Sequence, residues 1–150
     1  MISAARISVA VLLAACAALP GTAQVSTRVA SDAPIVNFRL PTFTAEGHRD
    51  WLVRGSEARM PNLKQVEVRD LTLTIFLGDE AGTIDTMLLA PVAQVLTEPQ
   101  TVSGPDTIRV ISKEFEATGR EWLYDHREKR ISIAKNVRVT FRAQLTNLLQ

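Results

Sequence analysis

The sequence predicts an all-β protein, because strand signals run almost without a break from residue 38 to residue 141. Val66 and Val68 alternate with charged residues, and Leu71, Leu73 and Ile75 alternate with threonines. Side chains at every second position share one face of a strand. Runs of this kind recur along the chain and are separated by turns rich in glycine, proline and aspartate. We therefore expect several short antiparallel strands.

Composition and charge indicate one ordinary domain. The chain has 150 residues, of which 46% are hydrophobic, with 17 lysines and arginines against 16 acidic residues. That length supports a single modest core. Because the charges nearly cancel, the composition indicates neither a nucleic-acid-binding surface nor an acidic tail.

The N-terminus has the anatomy of an export signal. A short basic start ends at Arg6, an apolar run follows over Ile7–Leu19, and Pro20 interrupts it. The run is shorter than the roughly 20 residues that cross a bilayer as a helix. Small residues before Gln24 fit a signal peptidase, so residues 1–23 are expected to be a cleaved signal peptide.

A lipoprotein signal is the alternative. Leu13-Ala14-Ala15-Cys16 fits a lipobox, which would make residues 1–15 the signal and Cys16 a lipidated first residue. Both alternatives predict that the chain leaves the cytoplasm, as a soluble or a lipid-anchored protein. Since Cys16 is the only cysteine, no disulfide is expected to stabilise the mature domain.

The first elements after the signal are a polar lead-in and an edge strand. Residues 24–35 are small and polar and are expected to be flexible. Phe38–Phe43 alternates like a strand, and Pro41 restricts it to an edge strand or a strand start. A turn is expected at Glu46–Arg49, and Trp51 begins the next strand.

In the middle of the chain, the alternation of apolar and polar residues shifts by one position. The apolar residues occupy even positions up to Val68 and odd positions from Leu71. Both sets can face one core only if the step from Arg69 to Asp70 contains a bulge or bend. Further short strands are predicted between turn residues, at Thr83–Ala90, Val92–Thr97, Thr107–Ser112 and Lys113–Thr118. The tail, residues 143–150, has leucines at helical spacing and is short enough to be marginal as a helix.

Two segments about 65 residues apart resemble each other. Gly55-x-x-Ala58, Val66-x-Val68 and Asp70-Leu71-x-Leu73 form the first copy. Gly119-x-x-Trp122, Ile131-x-Ile133 and Asn136-Val137-x-Val139 form the second. A less similar third copy lies between them, so that successive copies are roughly thirty residues apart. Single hairpins are barely stable in water, so such units are expected to stack.

No residue pattern indicates catalysis or a metal site. His48 and His126 lie among charges in predicted turns and are interpreted as solvated. The mature chain lacks a cysteine, a Gly-x-Ser-x-Gly motif and the ligand spacing of zinc or calcium sites. Asp79, Glu80 and Asp85 are interpreted as a solvated hairpin tip. We expect a protein that is not an enzyme, with no cofactor and no metal. Trp51 and Trp122 are interpreted either as core residues or as contacts to an apolar ligand.

The order of these motifs resembles the LptC family of lipopolysaccharide-export proteins. The resemblance covers roughly residues 36–142. The motifs that carry it are Phe38-x-Leu40-Pro41-x-Phe43, Gly47, Trp51, Gly55-x-x-Ala58, Asp70-Leu71-x-Leu73, Ala90-Pro91, and Phe115-x-x-x-Gly119-x-x-Trp122 through Asn136-Val137-x-Val139-x-Phe141.

The resemblance implies a twisted, open β-jellyroll of two antiparallel sheets with a V-shaped section. It also implies a non-enzymatic carrier that binds lipid A acyl chains and passes lipopolysaccharide from an inner-membrane ABC transporter to an LptA-like bridge protein. The expected groove residues are Leu71, Leu73, Ile75, Ile108, Val110, Ile131, Ile133, Val137, Val139 and Phe141. One departure is the N-terminus, since family members typically keep an uncleaved membrane helix. The alternative function is a structural or protein-binding envelope domain with a closed core and no lipid ligand.

Overall fold

The computed structural model describes residues 33–142 and shows one antiparallel sheet of seven strands. Each strand pairs with the next in sequence, so the spatial order is the chain order. The all-β prediction is confirmed. The strands are β1 (Ile35–Phe43), β2 (Arg49–Asn62), β3 (Gln65–Phe76), β4 (Ile84–Leu96), β5 (Thr101–Ser112), β6 (Phe115–Asp125) and β7 (Arg130–Phe141). The signal segment with Cys16, most of the lead-in and the 143–150 tail lie outside the described residues.

The expectation of two separate sheets differs from the structure, in which a single hydrogen-bonded sheet contains all seven strands. The predicted breaks were also wrong. Pro91, Gly104 and Gly119 lie inside β4, β5 and β6. The pairing of β4 with β5 is interrupted between Leu89 and Gln94, so the missing N–H of Pro91 disrupts no ladder bond to β5. These residues bend long strands and do not end them.

A line of bends crosses the sheet near the middle of its strands. The sequence predicts a bulge or a bend at the step from Arg69 to Asp70, and the structure shows a bend: Asp70 has a φ of 50° and is exposed, whereas Val68 and Leu71 are buried. The pairing of β3 with β2 and β4 keeps its register through Asp70, so no residue is inserted. Asn37 in β1 and Asn136 in β7 adopt the same left-handed conformation, with φ values of 55° and 52°. Asn and Asp tolerate that conformation better than other non-glycine residues. The bend line divides the sheet into two halves.

The two halves share one core, because the sheet folds over along the bend line. Val53 and Leu73 from one half belong to the same buried cluster as Val66 and Val95 from the other. Trp51, near the start of β2, stacks on His126, which follows β6, with ring centroids 4.8 Å apart. Three strands separate β2 from β6 within the sheet, so only folding brings these residues together.

Other local predictions agree with the structure. Pro41 lies in β1, which is an edge strand, as its missing N–H requires. The predicted hairpin tip with Asp79 and Glu80 joins β3 to β4, and the Asp79 carboxylate accepts a hydrogen bond of 2.7 Å from the Thr83 amide. Short polar side chains commonly stabilise turns in this way.

The sequence repeat corresponds to two equivalent hairpins, β2–β3 and β6–β7. Each has a glycine at the bend of its first strand and a left-handed Asp70 or Asn136 in its second. A Cβ atom added to Gly55 would overlap Val68, and one added to Gly119 would overlap Ile133. Val68 and Ile133 are equivalent residues in the two copies. The glycines therefore permit close approach of the two strands at the bend.

Replacing Gly119 with alanine should destabilise the protein by about 1–3 kcal/mol, the usual range for overpacking. The added methyl group would collide with the Ile133 side chain and would lie 2.9 Å from the Lys135 carbonyl oxygen, which the backbone holds in place. Urea unfolding measures the effect. Ser132→Ala, an exposed change on β7, is the control and should cost little. An unchanged midpoint for Gly119→Ala would show that the bend can relax.

Candidate functional site

The inner face of β7 is exposed, unlike the inner faces of the central strands. The exposed fractions of Val137, Val139 and Phe141 are 52%, 45% and 72%. Val139 pairs with the buried Ala117 of β6, and cross-strand partners share a face of the sheet. These three side chains therefore extend the core-facing surface to an edge where no strand covers it within residues 33–142.

A cavity of about 240 Å³ lies beside this exposed stripe. Phe115, Ile131 and Ile133 are partly buried and pack against the core at this place. No charged side chain lines the cavity. Its lining residues are Val110, Phe115, Ala117, Ile131, Ile133, Val137 and Val139.

The ten residues expected to line a groove fall into two groups. Five lie in the filled core and are at most 4% exposed: Leu71, Leu73, Ile75, Ile108 and Val110. Of the other five, all on β7, Ile131 and Ile133 are half-buried, and Val137, Val139 and Phe141 are exposed. Val110 alone of the buried group also lines the cavity at β7. On the inner face, the accessible space therefore lies at the β7 end, whereas the side chains of the other four are packed in the core. Leu71 and Ile108 also border a separate groove of about 450 Å³.

The opposite edge of the sheet is more closed. On β1, Phe38 is buried, and Leu40 is partly buried against the core. Ile35 and Val36 at the start of β1 and Phe43 at its end are exposed. At the middle of β1 the larger side chains cover the interior, whereas the shorter valines of β7 leave an apolar opening beside the cavity.

A polar cluster joins two distant ends of the folded sheet. The His126 Nε2 atom lies 2.7 Å from Asp50 Oδ2, and His126 Nδ1 lies 2.9 Å from the Tyr124 hydroxyl. Lys129 Nζ donates to Asp50 Oδ1 over 3.3 Å and lies 3.1 Å from His126 Nε2. Trp51 stacks on the imidazole. We call these five residues the clasp, because they join β2 to the turn after β6.

The interpretation of His126 as a solvated turn residue was wrong, since only 4% of it is exposed. His48, the other histidine, lies in a turn and is partly exposed. Because Asp50 can only accept hydrogen bonds from His126, the proton of a neutral imidazole is placed on Nε2, and Nδ1 accepts from Tyr124. The imidazole therefore gives hydrogen-bond partners to both the buried Tyr124 hydroxyl and the Asp50 carboxylate.

The arrangement of Asp50, His126 and Tyr124 resembles a proton relay, but Tyr124 is held in its neutral form. Burial raises the pKa of Tyr124, and the negative charges of Asp50, Asp85 and Asp125 raise it further. The hydroxyl is thus held protonated, and the residue is 1% exposed. A nucleophile must be ionisable and reachable by substrate. Tyr124 meets neither condition and is therefore not a candidate nucleophile.

The clasp makes stability depend on pH through Asp50. Partial burial alone would raise the pKa of Asp50, but hydrogen bonds and charge from His126 and Lys129 outweigh it and hold the pKa below the ordinary value of 3.8. A group whose pKa is lower in the folded state stabilises the fold at pH values above its unfolded-state pKa. This contribution is lost as the pH falls through the folded-state pKa.

The difference in unfolding free energy between the native protein and Asp50→Asn should therefore shrink below pH 3.8, as measured by urea unfolding at several pH values. A constant difference down to pH 2 would contradict this account.

Both tryptophans are buried in the core, as the packing interpretation requires. Trp122 covers Gly104, where an added Cβ would lie 2.9 Å from the indole Nε1. Neither indole N–H has a hydrogen-bond partner among residues 33–142. The rings therefore stabilise the two halves of the fold mainly by apolar burial.

Within residues 33–142, no cluster of three or more His, Cys, Asp or Glu residues has the arrangement of a metal site. The same part of the chain contains no helix long and apolar enough to cross a membrane. No protein-family model matches the sequence, and no curated protein matches it significantly.

Proposed function

We propose that this protein is a non-enzymatic, periplasmic lipopolysaccharide-binding and transfer component of the lipopolysaccharide export bridge. The observation that carries the proposal is the apolar opening at β7, where Val137, Val139 and Phe141 are exposed beside an apolar cavity. Soluble proteins expose large contiguous apolar patches mainly where something binds them. The resemblance of the motif order to the LptC family supports acyl chains of lipid A as the ligand.

The size of the opening fits part of a lipid. A cavity of about 240 Å³ admits a section of an acyl chain, with the remainder lying along the exposed stripe. Each methylene group removed from water contributes about 0.8 kcal/mol. A few buried methylene groups would therefore give useful affinity without a charged residue in the site. The open edge of the sheet suits transfer of the lipid, because a bound acyl chain can leave the site past the unpaired edge of β7.

The proposed partners are an LptA-like bridge protein and an inner-membrane ABC transporter, with membrane association through them or through a lipid anchor. The unpaired outer edges of β1 and β7 within residues 33–142 support this, since an exposed edge can add a strand from a neighbouring protein. The same edges favour the second candidate, a structural or protein-binding envelope domain without lipid. In that case a partner protein would cover the stripe on β7.

Photo-crosslinking with lipid A separates the two candidates. A photoreactive residue at position 139 should capture lipid A, and the same residue at position 92 should not. Val92 is 44% exposed, close to the 45% of Val139, but lies on the outer face of β4 beside the buried Ala93. Equal capture at both positions, or none at position 139, would reject the carrier and favour the protein-binding domain.

A further inference from the structure

A row of arginines crosses the outer face of the sheet, on the side opposite the core. Consecutive pairing places one residue from each strand in this row. Arg109 is neutralised by an ion pair of 2.5 Å with Glu116. In order from β1 to β7 the row is Arg39, Arg54, Thr72, Leu89, Arg109, Thr118 and Arg138.

Arg39 and Arg54 are directly opposite each other, and neither forms an ion pair with a described residue. They are register partners on β1 and β2, and both are exposed. Among residues 33–142, neither has an acidic group within 4.0 Å or a side-chain hydrogen bond. Like charges directly opposite on neighbouring strands destabilise a sheet. Repulsion between the two guanidinium groups therefore destabilises the sheet at this point, and a bound anion would reduce the repulsion.

The two arginines line a groove of about 400 Å³ at the bend line. Asn37 and Thr72 line the same groove and can add neutral hydrogen-bond donors. Asp70 is its only acidic lining residue, and the Ser56 hydroxyl donates to Asp70 Oδ2 over 2.6 Å. Opposite residues of paired strands have Cβ atoms about 5 Å apart, so both guanidinium groups can reach one ligand group.

We propose that Arg39 and Arg54 form a binding site for a phosphate monoester group. Such a group carries between one and two negative charges at neutral pH, which suits two guanidinium groups better than a single carboxylate does. Guanidinium groups bind phosphate oxygens through paired N–H donors. Asp70 lies in the same groove and weakens the binding by repulsion. The site is on the outer face and does not depend on the proposed lipid site at β7.

The test is an NMR titration of the full chain with inorganic phosphate at low ionic strength. Saturable shifts should appear in β1, β2 and β3, and Arg39→Gln and Arg54→Gln should each weaken binding at least fivefold. Asp70→Asn should strengthen it. Arg127→Gln, at an exposed turn residue, makes the same change in net charge and should leave the affinity within twofold.

A second arm identifies the source of the phosphate group. Vesicles of phosphatidylcholine with phosphatidic acid present a phosphomonoester on a membrane, and vesicles of phosphatidylcholine alone do not. Binding to the first that is lost in both arginine variants assigns a lipid headgroup, whereas phosphate binding without vesicle binding assigns a soluble ligand. No saturable binding in either arm, or an equal loss in Arg127→Gln, would overturn the proposal. Circular dichroism confirms that each variant is folded.

Discussion

Replacing His126 with alanine should lower the free energy of unfolding by about 3 kcal/mol. The change leaves the buried Tyr124 hydroxyl without its partner, and an unsatisfied buried polar group costs about 1–3 kcal/mol. It also removes the ring stacked on Trp51, and such aromatic contacts contribute about 0.5–1.5 kcal/mol. Urea unfolding, followed by tryptophan fluorescence, measures the loss.

Two variants separate the parts of this effect. His126→Phe keeps a ring against Trp51 but removes both hydrogen bonds, so it should recover only the stacking contribution. His48→Ala is the matched control, because the bonds of His48 to Thr44 involve its backbone N–H and carbonyl. It should cost less than about 0.5 kcal/mol, as surface substitutions usually do. A loss for His126→Ala no greater than that for His48→Ala would contradict the structural role of the clasp.

Replacing Val139 with aspartate should weaken lipid A binding at least tenfold. The carboxylate would lie in the apolar cavity at β7, where a bound acyl chain would have to displace its water. A tenfold loss corresponds to about 1.4 kcal/mol, less than the cost of desolvating a charge without a partner. Because Val139 is 45% exposed, the free protein should keep most of its stability. The affinity of the purified protein for lipid A is the measurement.

Val92→Asp provides the matched control for this prediction. It makes the same chemical change at a nearly equal exposure, but on the outer face of β4. Lipid affinity should be unchanged in that variant. If both variants weakened binding equally, general charge repulsion would explain the loss, and the β7 opening would have no specific role.

The sequence predicts the local features of this fold well. The shift of the alternation between Val68 and Leu71 predicts a bulge or a bend at Asp70, because a period of two cannot otherwise bury both residues, and the structure has the bend. Pro41 predicts an edge strand because it lacks a donor. The repeat predicts two equivalent hairpins, which the matching positions of Gly55 and Gly119 confirm. Each of these features is formed by residues that are close together in the sequence.

Features that depend on distant residues were not predicted. Pro91 indicates a strand end by itself, but its compatibility with β4 follows from the gap in pairing with β5. The local sequence around His126 is charged and indicates exposure. Its burial depends on Trp51 and on Asp50, which lies 76 residues earlier in the chain. The sequence offers one signal that could have found this contact, namely that His126 follows the apolar alternation of β6 at Trp122 and Tyr124.

The proposed lipid site also has one feature that nearby residues predict and one that depends on distant strands. Alternation correctly places Leu71, Leu73 and Ile108 on the inner face, but it does not distinguish a filled core from an open groove. That distinction depends on which strand covers each face. The edge position of β7 leaves Val137 and Val139 accessible, whereas neighbouring strands and the opposite half bury the central residues.

The most direct test is to observe nuclear Overhauser effects between bound lipid A and methyl groups of the protein. Isotope-labelled valine methyl groups should show contacts from acyl-chain protons to Val137 and Val139, and none to Val92. Contacts confined to Val92, or the absence of any acyl-chain contact at Val137 and Val139 under saturating lipid, would contradict lipid binding at the β7 opening.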